Sequence, residues 1–217
     1  MWQLERILPQ ASAILQFMPD FSLEKQIWDQ NYKIIAGCDE VGRGSFAGPV
    51  VAATVVFAPI SNQTPKINDS KKLTQKQREI ADKWIKQNSL AWGIGQANVN
   101  FINHYGIVKA TNFAFRQAIK NTKIQIDYLL IDAFYIPYVR GVGLKRQRAI
   151  VKGDAKSISI AAASIIAKVY RDNLMVNLAK SHKNYNWESN KGYGTKYHRQ
   201  AISKYGPTKY HRELWLD

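Results

Sequence analysis

Apolar positions along the chain fall into two kinds of run. Short dense runs read as β-strands at residues 33–40, 49–57 (rich in valine), 90–97 and 127–132, with a brief one at 149–152. The run Asp127-Tyr-Leu-Leu-Ile-Asp132 is wholly apolar between two acids, as expected of a strand covered on both faces. Between the strands, apolar residues recur at helical spacing. Residues 1–32 read as a helical lead-in through Leu4, Ile7, Leu8, Ala11 and Leu15. Thr74 and Gln77 have capping-box spacing and open a helix to about Gln87. Residues 101–120 read as helix despite Gly106, and 197–204 as another. From Ser157, Ile-Ser-Ile-Ala-Ala-Ala-Ser-Ile-Ile-Ala-Lys-Val is apolar nearly all round, which places a helix in the core against the sheet. The polar, basic stretch 140–148 reads as a connection. No repeat, low-complexity tract or Gly/Ser linker interrupts the pattern, so a three-layer α/β unit with a helical tail is expected.

Charge changes this picture from a generic domain to one with an acidic partner. The 217 residues carry 31 Lys and Arg against 16 Asp and Glu, a net charge of +15. Residues 1–139 hold 15 basic and 11 acidic side chains, and residues 140–217 hold 16 and 5. The surplus therefore lies in the last third, interleaved with Tyr170, Tyr185, Trp187, Tyr193, Tyr197, Tyr205, Tyr210 and Trp215. Basic groups neutralise phosphates and aromatic faces stack on bases or sugars, so nucleic acid is the expected partner. A single cysteine, Cys38, excludes a disulfide framework and a multi-cysteine zinc site. With Glu5 and Arg6 where a signal peptide would be apolar, and no run long enough to span a bilayer, a soluble cytoplasmic protein without membrane contact is expected.

In so basic a chain, the positions of the acids are informative. Asp39 and Glu40 close one buried strand, Asp132 closes another, and Asp154 follows a third in Lys-Gly-Asp. Ligands collect at strand ends of α/β sheets. Clustered carboxylates call for a cation, and hard oxygen ligands select Mg²⁺ or Mn²⁺. Two such ions would suit phosphodiester hydrolysis. A lone strand-terminal Asp is usually a cap or turn residue. Asp69 opens a loop, and Asp172 is accounted for by a salt bridge to its neighbour Arg171. The constellation carries the reading. Just beyond the acidic pair, Gly42-Arg43-Gly44 lets backbone approach a ligand closely and forms a plausible substrate cradle.

These segments resemble the ribonuclease HII family. The likeness runs through Gly37-Cys-Asp-Glu-Val-Gly-Arg-Gly-Ser-Phe-Ala-Gly-Pro-Val50, Asp69-Ser-Lys-Lys-Leu73, Ile131-Asp132 and the block from Lys152-Gly-Asp to Val169. It continues through Lys191-Gly-Tyr-Gly-Thr195, Gly206-Pro-Thr208 and His211-Arg212, spanning about residues 34–212 in the family's order. The resemblance implies a ribonuclease H-like three-layer fold with a central mixed sheet, in a catalytic domain over 33–217 after the lead-in. It implies an endonuclease acting on RNA–DNA hybrids and on DNA duplexes containing ribonucleotides, with Mg²⁺ or Mn²⁺. The implied metal ligands and catalytic residues are Asp39, Glu40, Asp132 and Asp154. Gly42, Arg43 and Gly44 would read the ribose hydroxyl, and Tyr193 would stack on the neighbouring deoxyribose.

Departures are small: Lys209 stands where the family often has proline, and the lead-in is longer than in the shortest members. The sister family, ribonuclease HIII, has a sizeable N-terminal domain that about thirty residues cannot house. A non-catalytic binding module would lack the acids. A junction resolvase or integrase-like nuclease would lack the Gly-Arg-Gly block and the Lys-Gly-Tyr tail.

Lys71, Lys72, Lys152, Lys156 and Lys168 are candidate phosphate contacts. Ser157 is either an N-cap or a hydroxyl offered to phosphate. His104, His182, His198 and His211 are scattered and read as structural or surface residues. A monomer is expected, and contact with a replication clamp is left open.

Overall fold

A computed structural model of the chain describes residues 18–59, 67 and 70–216. The periodic residues Leu4 to Leu15 and Asp69 lie outside that set. The elements are α1 (Ser22–Trp28), β1 (Ile35–Val41), β2 (Val50–Val56), α2 (Gln75–Asn88), β3 (Ala91–Ala97), α3 (Val99–Asn121), β4 (Tyr128–Asp132), β5 (Gln147–Ile150), α4 (Ile158–Ala179), α5 (Trp187–Asn190) and α6 (Lys196–Tyr205). The five strands form one mixed sheet in the order β3-β2-β1-β4-β5. β1 pairs antiparallel with β2 and parallel with β4. Among the described residues no helix is long and apolar enough to cross a membrane.

Two helical layers sandwich the sheet. On one face α3 packs Ala110, Ala114, Phe115 and Ala118 onto Ala36, Cys38, Ala52, Leu129 and Ile131. On the other, α4 and α2 pack Ala162, Ile165, Ile166 and Ile85 onto Val51, Ala53 and Val55. The all-round apolarity of α4 thus reflects its place between the sheet and α2. Its first turn is fixed by Ser157, whose Oγ accepts from Ile160 N–H (3.2 Å). The capping box at Thr74 forms as expected, with Gln77 N–H donating to Thr74 and Thr74 N–H to Gln77 Oε1.

Three elements depart from the sequence pattern. The fifth strand begins at Gln147, earlier than expected, because Gln147 is buried and its amide bonds Ile136 N–H, Ile136 C=O and Val142 C=O. Val151 and Lys152 fall in the following turn, where Lys152 takes a left-handed conformation (φ 56°). The helix at 101–120 is broken at Gly106 (φ 79°, ψ 161°), a conformation outside the helical region. The lead-in is also more than an appendage. Asp20 bridges to Ser157, and Glu24 is fully buried, its Oε1 accepting from Ser157 Oγ (2.6 Å) and Ser159 N–H (3.0 Å) at the start of α4.

The tail builds a small core around Trp187, fully buried with Met175, Ala179 and Ala201, and attaches to the sheet loops through bridges Ser45–Tyr193 and Ala47–His211. Within it, Trp187 Nε1 donates to His198 Nε2 (3.0 Å), which leaves His198 Nδ1 to donate to Tyr193 C=O (2.9 Å). His211 Nε2 lies 3.1 Å from the same His198 nitrogen, and its Nδ1 accepts from Thr208 N–H (2.8 Å). Both rings are therefore neutral, and burial pushes His198 down and His211 down to about 4.

Unfolded imidazoles protonate near pH 6.5, so between about 6.5 and 4 the unfolded chain binds more protons and stability falls with falling pH. Denaturant unfolding should show His211 removing about 2 kcal/mol between pH 7.5 and 5. His211→Gln should flatten that loss, and an equally steep loss in the variant would contradict the assignment.

Candidate active site

Register assembles the site. In the parallel β1–β4 pair Cys38 lies opposite Ile131, so the next residues, Asp39 and Asp132, emerge together at one sheet edge. Asp132 is level with Ile150 of β5, and the turn beyond β5 brings Gly153 N–H to Asp132 Oδ1 (2.8 Å) and Asp154 alongside. One carboxylate oxygen from each of Asp39, Asp132 and Asp154 lies within 4.8 Å of the others. Asp39 and Asp154 are buried. Asp39 Oδ1 accepts from Glu40 N–H (2.7 Å), and its carboxylate is also bonded by Ser164, whose hydroxyl lies 2.9 Å from that of Ser70. Lys71 Nζ reaches Asp154 Oδ2 (3.2 Å) from a largely exposed position.

Glu40, expected as a fourth member, stands beside this trio. Glu40 is partly buried, and its charge is felt by Asp39. The Glu40 Oε1 lies 3.6 Å from Arg43 Nη1.

Electrostatics show what the arrangement favours. Burial, then the charge of Glu40 and to a lesser degree Asp132, push the Asp39 carboxyl well above its usual range. Burial pushes Glu40 up to about 7, with Arg43 opposing and Asp132 adding. An oxygen-only cluster in which Asp39 and Glu40 resist ionisation on their own suits a hard divalent cation, which favours the charged form of its ligands. These residues fit a magnesium or manganese site.

The Gly42–Gly44 turn borders the acids. Gly42 has φ +87°, and a Cβ there would sit 2.2 Å from Arg171 Nε, whereas a Cβ on Gly44 would meet nothing within 4 Å. The Arg43 guanidinium lies 5.0 Å from the Phe134 ring centroid. Tyr193 is half-buried, and the cations of Arg171 and Lys168 lie over its ring at 5.4 and 5.8 Å. The Ser45–Tyr193 bridge joins its loop to the glycine turn. Lys72, Lys152 and Lys156 are exposed, while Lys168 Nζ pairs with Asp172 (2.9 Å).

Two expectations are corrected. Ser157 is not available to phosphate: it is fully buried, caps α4 and donates to Glu24. Asp172 pairs with Lys168 one turn away, not with Arg171, because adjacent helix residues do not face each other. Arg171 instead points into the protein, as does Arg212. Neither was singled out from sequence, and no local pattern separates Arg171 from Lys168 on the same helix. Ser70 and Ser164 were likewise passed over.

A family model described as Ribonuclease HII matches residues 36–217. The chain belongs to the ribonuclease HII family. It is 48% identical over 196 residues to the ribonuclease HII of Wolbachia pipientis subsp. Culex pipiens (strain wPip), covering 90% of this chain and 94% of that relative. It is 46% identical over 194 residues to that of Caldanaerobacter subterraneus subsp. tengcongensis, covering 89% and 78%. Among solved structures, ribonuclease H2 from Pyrococcus horikoshii OT3 superposes with a TM-score of 0.69 at 25% identity, covering 84% of this chain and 93% of that one. The fold is thus ribonuclease H-like, and the chain is a metal-dependent hydrolase. The family model that matches is that of HII, as the motifs implied, while solved ribonuclease HIII structures share the fold.

Proposed function

We propose that this enzyme hydrolyses the RNA strand of RNA–DNA hybrids and nicks duplex DNA on the 5′ side of an embedded ribonucleotide, leaving 5′-phosphate and 3′-hydroxyl ends. The observation that carries the reading is the trio Asp39, Asp132 and Asp154, with oxygens within 4.8 Å, beside a glycine turn open to a ligand. In this reading the trio, with Glu40 at its margin, holds two ions, Mg²⁺ or Mn²⁺. Such ions when bound supply an acidified water and neutralise charge on the leaving oxygen. The chain's own part is to hold the ligands still. Gly153 N–H fixes Asp132, and Ser164 with Glu40 N–H fixes Asp39.

Substrate choice falls to Gly42, Arg43 and Gly44, which offer main-chain groups and a guanidinium to the ribose 2′-hydroxyl, and to Tyr193, which offers a ring to the adjacent sugar. A site built to bond a hydroxyl rejects the analogue lacking it because its own polar groups are left unpaired. Lys71, Lys72, Lys152, Lys156 and Lys168 line the approach to phosphates. Cys38 is buried with its thiol pushed up to about 12, so it takes no part in the chemistry.

The direct test incubates the protein with a duplex bearing one ribonucleotide, with and without Mg²⁺ or Mn²⁺. Metal-dependent nicking 5′ to the ribonucleotide is expected. Intact substrate under both metals would refute the proposal, and cleavage of all-DNA junctions would point to a resolvase. Arg43→Ala should lower cleavage of the single-ribonucleotide duplex by about tenfold or more, the worth of a charge-assisted hydrogen bond. Duplex affinity should change less than threefold, and equal losses in both would remove Arg43 from substrate reading.

A further inference from the structure

We infer that Arg171 and Arg212 form a buried clasp that sets the shape of both substrate-reading loops at once, and so determines how well the enzyme distinguishes ribose from deoxyribose. The inference rests on the proposed reading of those loops.

Both side chains are fully buried. Arg171 donates from Nε to Pro49 C=O (2.9 Å), from Nη2 to Ala47 C=O (3.0 Å) and from Nη1 to Lys191 C=O (2.9 Å). Arg212 donates to Gly48 C=O from Nε (3.0 Å) and Nη2 (2.8 Å), to Gly42 C=O (2.6 Å) and to Arg43 C=O (2.7 Å). Every one of these acceptors is main chain. The nearest acid that Arg171 feels, Asp172, is bonded to Lys168.

Packing two cations together without a bonded carboxylate is costly. Burial and the charge of Arg171 push Arg212 down to about 9. A core built only for stability would use apolar side chains here. What the arginines do instead is fix six carbonyl directions, five of them between Gly42 and Pro49.

The consequence follows from peptide geometry. The described residues contain no cis peptide bonds, and in a planar trans unit N–H points opposite to C=O. With the carbonyls of Gly42 and Arg43 drawn inward to Arg212, the N–H groups of Arg43 and Gly44 face away from the clasp. A Cβ of Gly44 would meet no protein atom within 4 Å, so the turn has open space beside it. The two buried charges make this turn electropositive, which suits phosphate or hydroxyl oxygens.

Arg171 extends the clasp to the second loop. It holds Lys191 C=O and lies over the Tyr193 ring while also holding Ala47 and Pro49. Any shift of Arg171 therefore moves the Ala47–Pro49 end of the first loop and the tyrosine together, while Arg212 holds the Gly42–Arg43 end. Lysine cannot substitute, since one ammonium cannot span three carbonyls in the plane of a guanidinium fork. Arg171 and Arg212 are positioning residues: they touch the readers and not the substrate.

The test uses Arg171→Lys and Arg212→Lys in the full chain. Affinity is measured for the single-ribonucleotide duplex and its all-DNA counterpart, with Ca²⁺ replacing Mg²⁺. Each variant should lose about tenfold or more of the ribonucleotide-over-DNA preference, with all-DNA affinity changed less than threefold. A wild-type preference ratio in either folded variant, or parallel weakening on both duplexes, overturns the inference.

A second measurement needs no variant. In the wild type the guanidinium protons of both arginines should give resolved NMR signals that shift with the ribonucleotide duplex and not with the all-DNA duplex. Signals that ignore both, or shift equally with both, also overturn it. Nicking in the metal assay is a separate readout, so an active enzyme that fails these tests retains the proposed function and loses only the clasp.

Discussion

Asp132→Asn is expected to lower phosphodiester hydrolysis by about a thousandfold or more while leaving the fold intact. Asparagine keeps the shape of the side chain and the oxygen that accepts Gly153 N–H (2.8 Å), so the turn carrying Asp154 stays in place. What disappears is one of three carboxylate groups whose oxygens lie within 4.8 Å of one another. A thousandfold loss corresponds to about 4 kcal/mol of transition-state stabilisation, the scale of a lost charged group in an active site. Asp39→Asn and Asp154→Asn should fall in the same range.

The metal-free variant should also be more stable than the metal-free parent. Asp39 is held well above its usual range partly by the charges of Glu40 and Asp132, and removing one of them relieves that repulsion. The sign follows from linkage. A carboxyl raised in the folded state favours folding as pH falls and opposes it at neutral pH, so neutralising its neighbour helps most at pH 7. Melting curves with EDTA and with Mg²⁺ or Mn²⁺ check both parts. The parent should gain stability from metal, and the variant should start higher and gain little. Activity within tenfold of the parent would remove Asp132 from the reaction.

How much of this could be read from residues alone differs between the sheet and the tail. The strands ending in Asp39-Glu40 and Asp132 were legible because a run such as Leu129-Leu130-Ile131 buried on both faces has no polar breaks. That these ends would be neighbours was not legible from pattern. It depends on the parallel pairing of β1 with β4, a contact between residues some ninety positions apart. The edge strand β5 was placed late because an edge strand tolerates charge. Gln147 and Arg148 look like loop until Gln147 is seen bonding main chain on both sides of Ile136.

The pairing of Arg171 was misread for a related reason. A cation beside an acid in sequence suggests a pair, yet on a helix Asp172 faces Lys168 and Arg171 faces the core. Local pattern conveys which face is apolar. It conveys nothing about a carbonyl 122 residues away that the guanidinium is to hold.

Gly37→Ala is expected to destabilise the protein by about 3 kcal/mol or more, although it adds one methyl group in a strand that tolerates alanine elsewhere. β1 crosses the first turn of α4 so closely that a Cβ on Gly37 would lie 2.1 Å from the Ser159 carbonyl carbon and 2.3 Å from Ile160 N. Both are main-chain atoms, so no side-chain rotation relieves the overlap and the helix itself must move outward. Overpacking of cores usually costs 1–3 kcal/mol, and contact with backbone belongs at the upper end. The shift would also strain the bonds that Glu24 makes to Ser157 and Ser159, and the contact of Ser164 with Asp39.

For a chain of this size the melting temperature should fall by about 10 °C. Gly44→Ala is the control within the same motif. Its Cβ meets nothing within 4 Å, so stability should change by less than about 0.5 kcal/mol while cleavage of the single-ribonucleotide duplex falls, the added methyl lying where substrate approaches. One glycine is required by the protein and the other by its ligand. Equal melting temperatures for the two variants would show that α4 can yield at Gly37, and that the close approach of helix to strand does not hold Asp39 in place.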